Sequence, residues 1–475
     1  MYSAITLASA VVLSAALLLI LAKRTDDTFF KMLKAITVVF CAVGFFRFML
    51  CDGFIYVING GILNGVRYES TDILSSIIRW GYFANYSVLP MAVFTKSRLF
   101  RNLACYYCLP FSVLSAVYFE RFMPYFAQNT GSIFAPLPFR YVYFVLELVL
   151  AISIALLVCV RAKHFLRVTD IGEILRFIVA IPFVALVTMP VYVPQSIIGY
   201  SKIRMDSYSV AHLVWMLAMI VITIIIYRAF RFRSYEDRYN LCFFLVLALF
   251  FHYNSLYLMG FSLPRLPIQL CNLAAFFYIV AIPFKLNKFF HFCFIVNVTG
   301  ALIAILSPDF ATTGVGFWNL HYIFEHTLVF MIPVLAMSLR VFPRVSRPSI
   351  KYAAVGFVCY FVFCVIGGGL LNVFSNYTGQ EVNYFFMFDL DKAESFVSLI
   401  SLADVLPVTI GAYTFYPILM LVVFIAFSLL CLLFYRFTLY CYKIEEDHLN
   451  LRNAGLDLLE QITGKPTKLP REFKD

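Results

Sequence analysis

Thirteen stretches of the chain are apolar over roughly the length of one helix, at about 2–22, 32–51, 73–95, 99–119, 140–160, 173–195, 208–228, 239–260, 265–284, 289–307, 317–339, 352–372 and 413–437. At 1.5 Å per residue, about 20 apolar residues in a helix cross the roughly 30 Å hydrocarbon core of a bilayer. The pattern predicts an all-α, polytopic integral membrane protein of about 13 transmembrane helices. The first run has no small-residue cleavage site before Lys23 and is longer than a signal-peptide core, so it reads as a retained helix.

The polar positions between the runs are not evenly charged. Lys23, Arg24 and Lys31, then Lys96, Arg98 and Arg101, then Arg161, Lys163 and Arg167 occupy every second loop, and the alternation continues through Arg228–Arg238, Lys285–Lys288 and Arg340–Lys351. The loops between are poor in basic residues or acidic, as from Glu381 to Asp404. The positive-inside rule puts the basic set in the cytoplasm, with the N-terminus outside and the C-terminus cytoplasmic. An odd number of crossings requires the same arrangement. Beyond Lys443 the chain turns polar, and Leu449, Leu456 and Leu459 recur at helical spacing, so residues 441–475 read as a cytoplasmic amphipathic tail. The lack of a targeting tail points to a cell membrane of the bacterial cytoplasmic kind.

Composition narrows this further. The chain is 62% hydrophobic and 13% charged, against about 25% charged in soluble globular proteins. The net charge of +11 does not signal a nucleic-acid partner, because the basic residues lie in short loops and form no clustered face. Most of the twelve cysteines lie in apolar runs, where they behave as small hydrophobes. Cys105 and Cys108 form a CxxC, but with no second pair or nearby histidine at zinc spacing no metal is expected, and no cofactor.

The two halves can be laid side by side. VLPMAVFTKSRLFRN (Val88–Asn102) resembles IVAIPFKLNKFFHF (Ile279–Phe292), and YFVLELVL (Tyr143–Leu150) resembles YIFEHTLV (Tyr322–Val329), with Glu147 falling on Glu325. Spans one to six would pair with seven to twelve in one orientation, a parallel internal repeat. The expected divisions are 1–200, a degenerate six-helix unit without catalytic residues; 205–440, a seven-helix unit carrying the candidate site; and the tail 441–475.

Ionisable residues in spanning helices cost about 2.5–3.5 kcal/mol on insertion scales, so Arg47, Arg79, Glu147, Glu325 and Asp404 ask for partners; Arg79 with Glu147 would serve. Cys271, in LPRLPIQLCN, stands apart. An intramembrane thiol is ordinarily inert, and becomes a nucleophile only with a base beside it. Cys271 lies about seven residues past Pro264 and His326 about nine past Phe317, which sets both about 10–14 Å deep from the same face. His326 is the favoured base. His321 is nearer the surface and one turn from Glu325, a supporting pair; Tyr322 shares a face with His326 and packs there or supports it. Gln269 and Asn272 flank the thiol, and their amides could steady an oxyanion. Asp309, in ILSPDF, could orient a histidine, bind a cationic head group or cap the next helix.

From about Ser207 to Tyr440 the chain resembles the YwaF and transmembrane protein 164 family of seven-span membrane proteins. The motifs that carry the likeness are LPIQLCN at the start of the unit's third span, SPDF at the end of its fourth and the histidine of EHTLVF in its fifth. The animal member of that family is a cysteine-dependent acyltransferase acting on ether phospholipids through an acyl-enzyme. The resemblance implies that Cys271 is the nucleophile and His326 its partner, and that the partners are a membrane phospholipid and lysophospholipid. The expectation is therefore a membrane-embedded acyltransferase working through a cysteine thioester. The rival is a lipid or small-solute transporter or flippase, for which parallel repeats and buried charges serve equally well and Cys271 merely packs.

Overall fold

The structure is a computed structural model, and it describes residues 1–21, 23–51, 62–63, 66–67, 73–122, 137–162, 170–189, 206–254, 263, 266–308, 317–388, 406–411, 413–467 and 473. Among them, eight helices are long and apolar enough to cross a membrane, including Tyr2–Leu21, Val210–Phe230 and Ser349–Val373. The chain is an all-α, multi-pass membrane protein. Helix also occupies the other apolar runs, in shorter or interrupted form: Ile73–Phe83 followed by Asn85–Phe94, Ile171–Val187, Tyr235–Ala248 running into a π turn, and Leu270–Ala281. The described residues also include two small antiparallel pairs, Ile62–Leu63 with Val66–Arg67 and Val408–Ile410 with Tyr413–Phe415. Gly411, at φ 65°, lies in the turn of the second.

The chain forms two compact units, one of residues 1–206, 243–261 and 310–324, the other of 207–242, 262–309 and 325–475. In the first, the helix Leu137–Ala162 lies against Tyr2–Leu21 and Asp26–Cys51. Its Glu147 is fully buried and accepts hydrogen bonds from the hydroxyls of Tyr82, at 2.7 Å, and Tyr86. Arg79, equally buried, lies under the rings of Tyr82, Phe83 and Phe144 at 4.9–5.6 Å. A buried charge is tolerated when hydrogen bonds and ring quadrupoles replace its water. The aromatic residues supply that replacement around both groups. Arg47's side chain and Asp404 lie outside the described residues.

One cysteine expectation needs correcting. Cys105 does not behave as a free small hydrophobe: it is joined to Cys159 in a disulfide, while Cys108 stays a buried free thiol. Cys105 sits in the π turn Ala104–Cys108, which packs on the helix carrying Cys159. A CxxC motif gives no sign of a partner 54 positions away.

In the second unit Asn287–Phe292, the π turn Cys293–Asn297 and Val298–Leu306 run on as one helix of 6, 5 and 9 residues. The first unit contains the same succession: Arg98–Leu103, the π turn Ala104–Cys108 and Leu109–Val117, again 6, 5 and 9 residues. Laid one on the other by these lengths, Arg98 falls opposite Asn287 and Val117 opposite Leu306, an offset that takes Tyr82 to Cys271.

The tail departs from its expected form. The last apolar run and the polar segment after it are a single helix, Pro417–Thr463, of 47 residues. Its helix formers continue without proline or glycine as far as Gly455, and it ends at Gly464, whose left-handed φ of 62° closes the last turn. Of the leucines expected to pack, only Leu456 is buried; Leu459 is exposed.

Candidate functional site around Cys271

The helix Leu270–Ala281 is short, and its start is set by what precedes it. Pro267 supplies no backbone N–H and Gln269 is extended (φ −55°, ψ 142°), so the first intrahelical bond is Leu273 N–H to the Gln269 carbonyl at 2.9 Å. Cys271 falls in the first turn, where backbone N–H groups have no intrahelical acceptor and the positive end of the helix dipole lies.

The lead-in is held from outside by side chains. Gln380 Oε1 accepts from Leu263 N–H at 2.9 Å, and the Tyr384 hydroxyl donates to the Leu263 carbonyl at 2.6 Å. Tyr360 donates to the Ile268 carbonyl at 3.0 Å, and Asn297 Nδ2 to the Leu270 carbonyl at 3.0 Å. The Gln269 amide is divided between the Asn383 carbonyl, to which it donates at 2.7 Å, and Phe385 N–H, from which it accepts at 2.9 Å. An irregular backbone at membrane depth is stable only where protein groups satisfy it. These contacts do so, and they make residues 380–388 a cover over the start of the Cys271 helix.

That cover is itself bent sharply. Phe385 and Phe386 both adopt left-handed backbone, at φ 57° and 55°, which costs on the order of 1 kcal/mol or more per non-glycine residue. Packing offsets it: the Phe385 ring lies 5.0–6.1 Å from those of Phe357, Tyr360, Phe361 and Phe427. Asn372 pairs with both backbone groups of Val382, at 2.9 and 2.7 Å.

Cys271 itself is half-buried. Its sulfur faces the helix Val298–Leu306, where Gly300 permits the approach: a Cβ there would stand 3.0 Å from Leu270 Cδ2 and 3.8 Å from Cys271 Sγ. Glu325, fully buried, lies within electrostatic reach of the thiol, as do the hydroxyls of Tyr278 and Tyr360. The link between the two helices is a hydrogen bond from the Tyr278 hydroxyl to the Val329 carbonyl at 2.9 Å. Tyr278 is two turns past Cys271 and Val329 one turn past Glu325, so this bond fixes the level at which Glu325 meets the thiol.

The structure therefore sets Glu325, expected only as a supporting residue, within electrostatic reach of Cys271. His326 is buried, at 6% exposure, and follows Glu325 about 100° further round the same helix. His321 is also buried, and Tyr322 is half-buried. Asn272 is buried beside the thiol. Gln269 is committed to the cover. Asp309 lies outside the described residues. Tyr360, Tyr384, Gln380 and Asn297 escape sequence reasoning: they stand 27 to 121 positions from the backbone groups they hold, and no local pattern marks them. No group of three or more His, Cys, Asp or Glu residues able to hold a metal occurs among the described residues.

A polytopic helical membrane protein with a thiol in the first turn of a short helix, a buried carboxylate within its electrostatic reach and a lead-in held by side-chain hydrogen bonds is the class that fold and site define. The model of the TMEM164 family matches residues 207–435. That stretch, just under half of the chain, is similar to the family. No curated protein and no solved structure matches the chain.

Proposed function

We propose that the protein is an acyltransferase embedded in the membrane, moving an acyl chain between lipids through a thioester on Cys271. The observation that carries this reading is a buried carboxylate, Glu325, within electrostatic reach of a thiol held in the first turn of a helix, in the half of the chain that the TMEM164 family model matches. In the first step the sulfur attacks the ester carbonyl of a phospholipid, the C–O bond breaks, and the proton taken from the thiol passes to the leaving lysolipid oxygen. In the second, an acceptor hydroxyl attacks the thioester, the C–S bond breaks, and the acceptor's proton returns to sulfur. His326 carries the proton both ways, and Glu325 is the second basic group at that level. The free N–H groups of the helix's first turn and the Asn272 amide supply donors for the tetrahedral oxyanion. The cover formed by residues 380–388 keeps water from the thioester.

Thirteen crossings, with the N-terminus outside the cell membrane and the C-terminus in the cytoplasm, fit the alternation of basic loops. The matching 6, 5 and 9 residue helices support a parallel repeat. On that reading the first copy carries Tyr82 and Glu147 where the second carries Cys271 and Glu325, and is a scaffold without a nucleophile. The test is to trap the intermediate. Purified protein incubated with phospholipid bearing a labelled acyl chain should yield a hydroxylamine-sensitive adduct on Cys271 by mass spectrometry, absent from Cys271→Ala. If no adduct forms and acyl-chain distribution in cells is the same for wild type and Cys271→Ala, the enzyme reading fails; lipid or solute flux that persists in Cys271→Ala would then identify a transporter.

A further inference from the structure

At the far end of the Cys271 helix the second unit contains a cavity of 540 Å³ whose walls include Lys285, Arg340 and Arg344, with Asn287, Tyr235 and Glu446 beside them. Lys285 is 14 positions beyond Cys271, which at a helical rise is roughly 20 Å. The cavity is thus separate from the thiol and lies at the level of the basic loops.

Two of its cations occupy one unusual backbone position. The helix Leu270–Ala281 ends with Lys285 N–H bonded to the Ile282 carbonyl at 3.2 Å and Leu286 N–H to the Ala281 carbonyl at 3.0 Å. The helix Phe317–Ser338 ends the same way, with Arg340 N–H to Met337 at 3.1 Å and Val341 N–H to Ala336 at 2.9 Å. Both are Schellman closures, in which the left-handed residue is usually glycine. Here it is Lys285, at φ 50°, and Arg340, at φ 57°. A side chain in this conformation costs about 1 kcal/mol or more relative to glycine. A cation near a helix C-terminus recovers part of that from the dipole, but the dipole alone does not call for two such ends converging on one cavity.

The cations are also incompletely used by the protein. Arg344 forms an ion pair with Glu445 at 2.7 Å and lies over the Tyr442 ring, and Arg340 reaches Glu446 only at 3.5 Å. The buried Nε–H groups of both Arg340 and Arg344 have no acceptor among the described residues. Lys285 rests over the rings of Tyr235 and Tyr239 at 5.1 and 5.4 Å. A buried donor without an acceptor loses its full hydration energy, and an anion entering the cavity would restore it. With Glu445 engaging Arg344, three cations stand against two carboxylates, and Glu446 is half exposed and weakly held.

We propose that this cavity binds a phosphomonoester, presented either by a lipid headgroup or by a soluble phosphorylated compound. Arginine and lysine both recognise phosphate oxygens with charge-assisted hydrogen bonds, and Asn287 offers an amide donor.

The test uses full-length protein and a variant that removes the cations while relaxing the backbone, Lys285→Gly with Arg340→Gly. Binding of inorganic phosphate to detergent-purified protein is measured by calorimetry, and retention of phosphatidic acid against phosphatidylcholine in nanodiscs by native mass spectrometry. Phosphate binding weakened at least tenfold in the variant, with thermal stability equal to or above wild type, identifies a site open to soluble phosphates. Selective phosphatidic acid retention, lost in the variant without phosphate binding in solution, identifies a headgroup site. Should the glycine pair fold poorly, Lys285→Gln with Arg340→Gln gives the same readout. Binding of neither ligand by the wild type, or equal binding by wild type and the variants, overturns the proposal.

Discussion

A thiol becomes a nucleophile only as its proton is removed, and the two basic groups proposed beside Cys271 are not equivalent. His326→Ala is expected to slow acyl transfer by 10²–10⁴-fold, the usual contribution of a general base, while leaving a slow adduct on Cys271. Glu325→Gln removes the carboxylate. If Glu325 only orients the site, the variant will form the adduct at a rate within about tenfold of wild type; if it takes the proton, the loss will match that of His326→Ala. Single-turnover labelling of Cys271 in the three proteins separates these outcomes. Cys271 and Glu325 were both visible in the sequence as residues out of place in apolar runs. Their meeting was not, because depth along a helix can be counted from its start but rotation about the axis is set by a tertiary contact, here Tyr278 to Val329.

At the scale of elements, a short helix works at membrane depth only while its lead-in is stitched to residues 380–388. Gln269→Ala removes two of those hydrogen bonds and leaves the Phe385 N–H without its acceptor, at an expected cost of about 1–3 kcal/mol. Hydrogen exchange should then rise in 380–388 and 263–270, and the Cys271 thioester should hydrolyse faster. The helices themselves were legible from apolar length; this cover was not, since its hold comes from tyrosine hydroxyls and amides in a segment of no regular period. A second link between elements responds to pH. Partial burial raises the pKa of Glu120, but donation from the Ser3 hydroxyl, from the Met1 ammonium at 3.0 Å and from Ser3 N–H at 3.2 Å outweighs it and brings the carboxyl to about 2. The unfolded-chain value is about 4.3. The folded pKa is the lower, so this link contributes stability above pH 4 and loses it as pH falls toward 2. Glu120→Gln should show a shallower decline in thermal stability over that window than wild type.

For the molecule as a whole, the parity of the crossings is the quantity on which most else depends. Eight helices are individually long and apolar enough to span, and eight crossings would return both ends of the chain to one side. The remaining apolar runs are broken or short for particular reasons. Ile73–Phe83 and Asn85–Phe94 are separated at Ala84, and Leu270–Ala281 has 12 residues behind a lead-in that is not helical. Twelve residues rise about 18 Å, little more than half the hydrocarbon core, so that run crosses only if its irregular part is also immersed. The side-chain bonds to Leu263, Ile268 and Leu270 are what immersion demands, because a lead-in in water would need none of them. Counting these runs as crossings makes the number odd and puts the ends on opposite sides, with Lys285, Arg340 and Arg344 on the side of the C-terminus. Reporters fused at the two termini should accordingly give opposite sidedness. An impermeant thiol reagent should reach a cysteine placed at Ser346, in a basic loop, only from the side that reaches the C-terminal reporter. Termini on the same side would mean that an odd number of the five shorter runs does not cross; with Leu270–Ala281 among them, Cys271 would lose the depth it shares with His326.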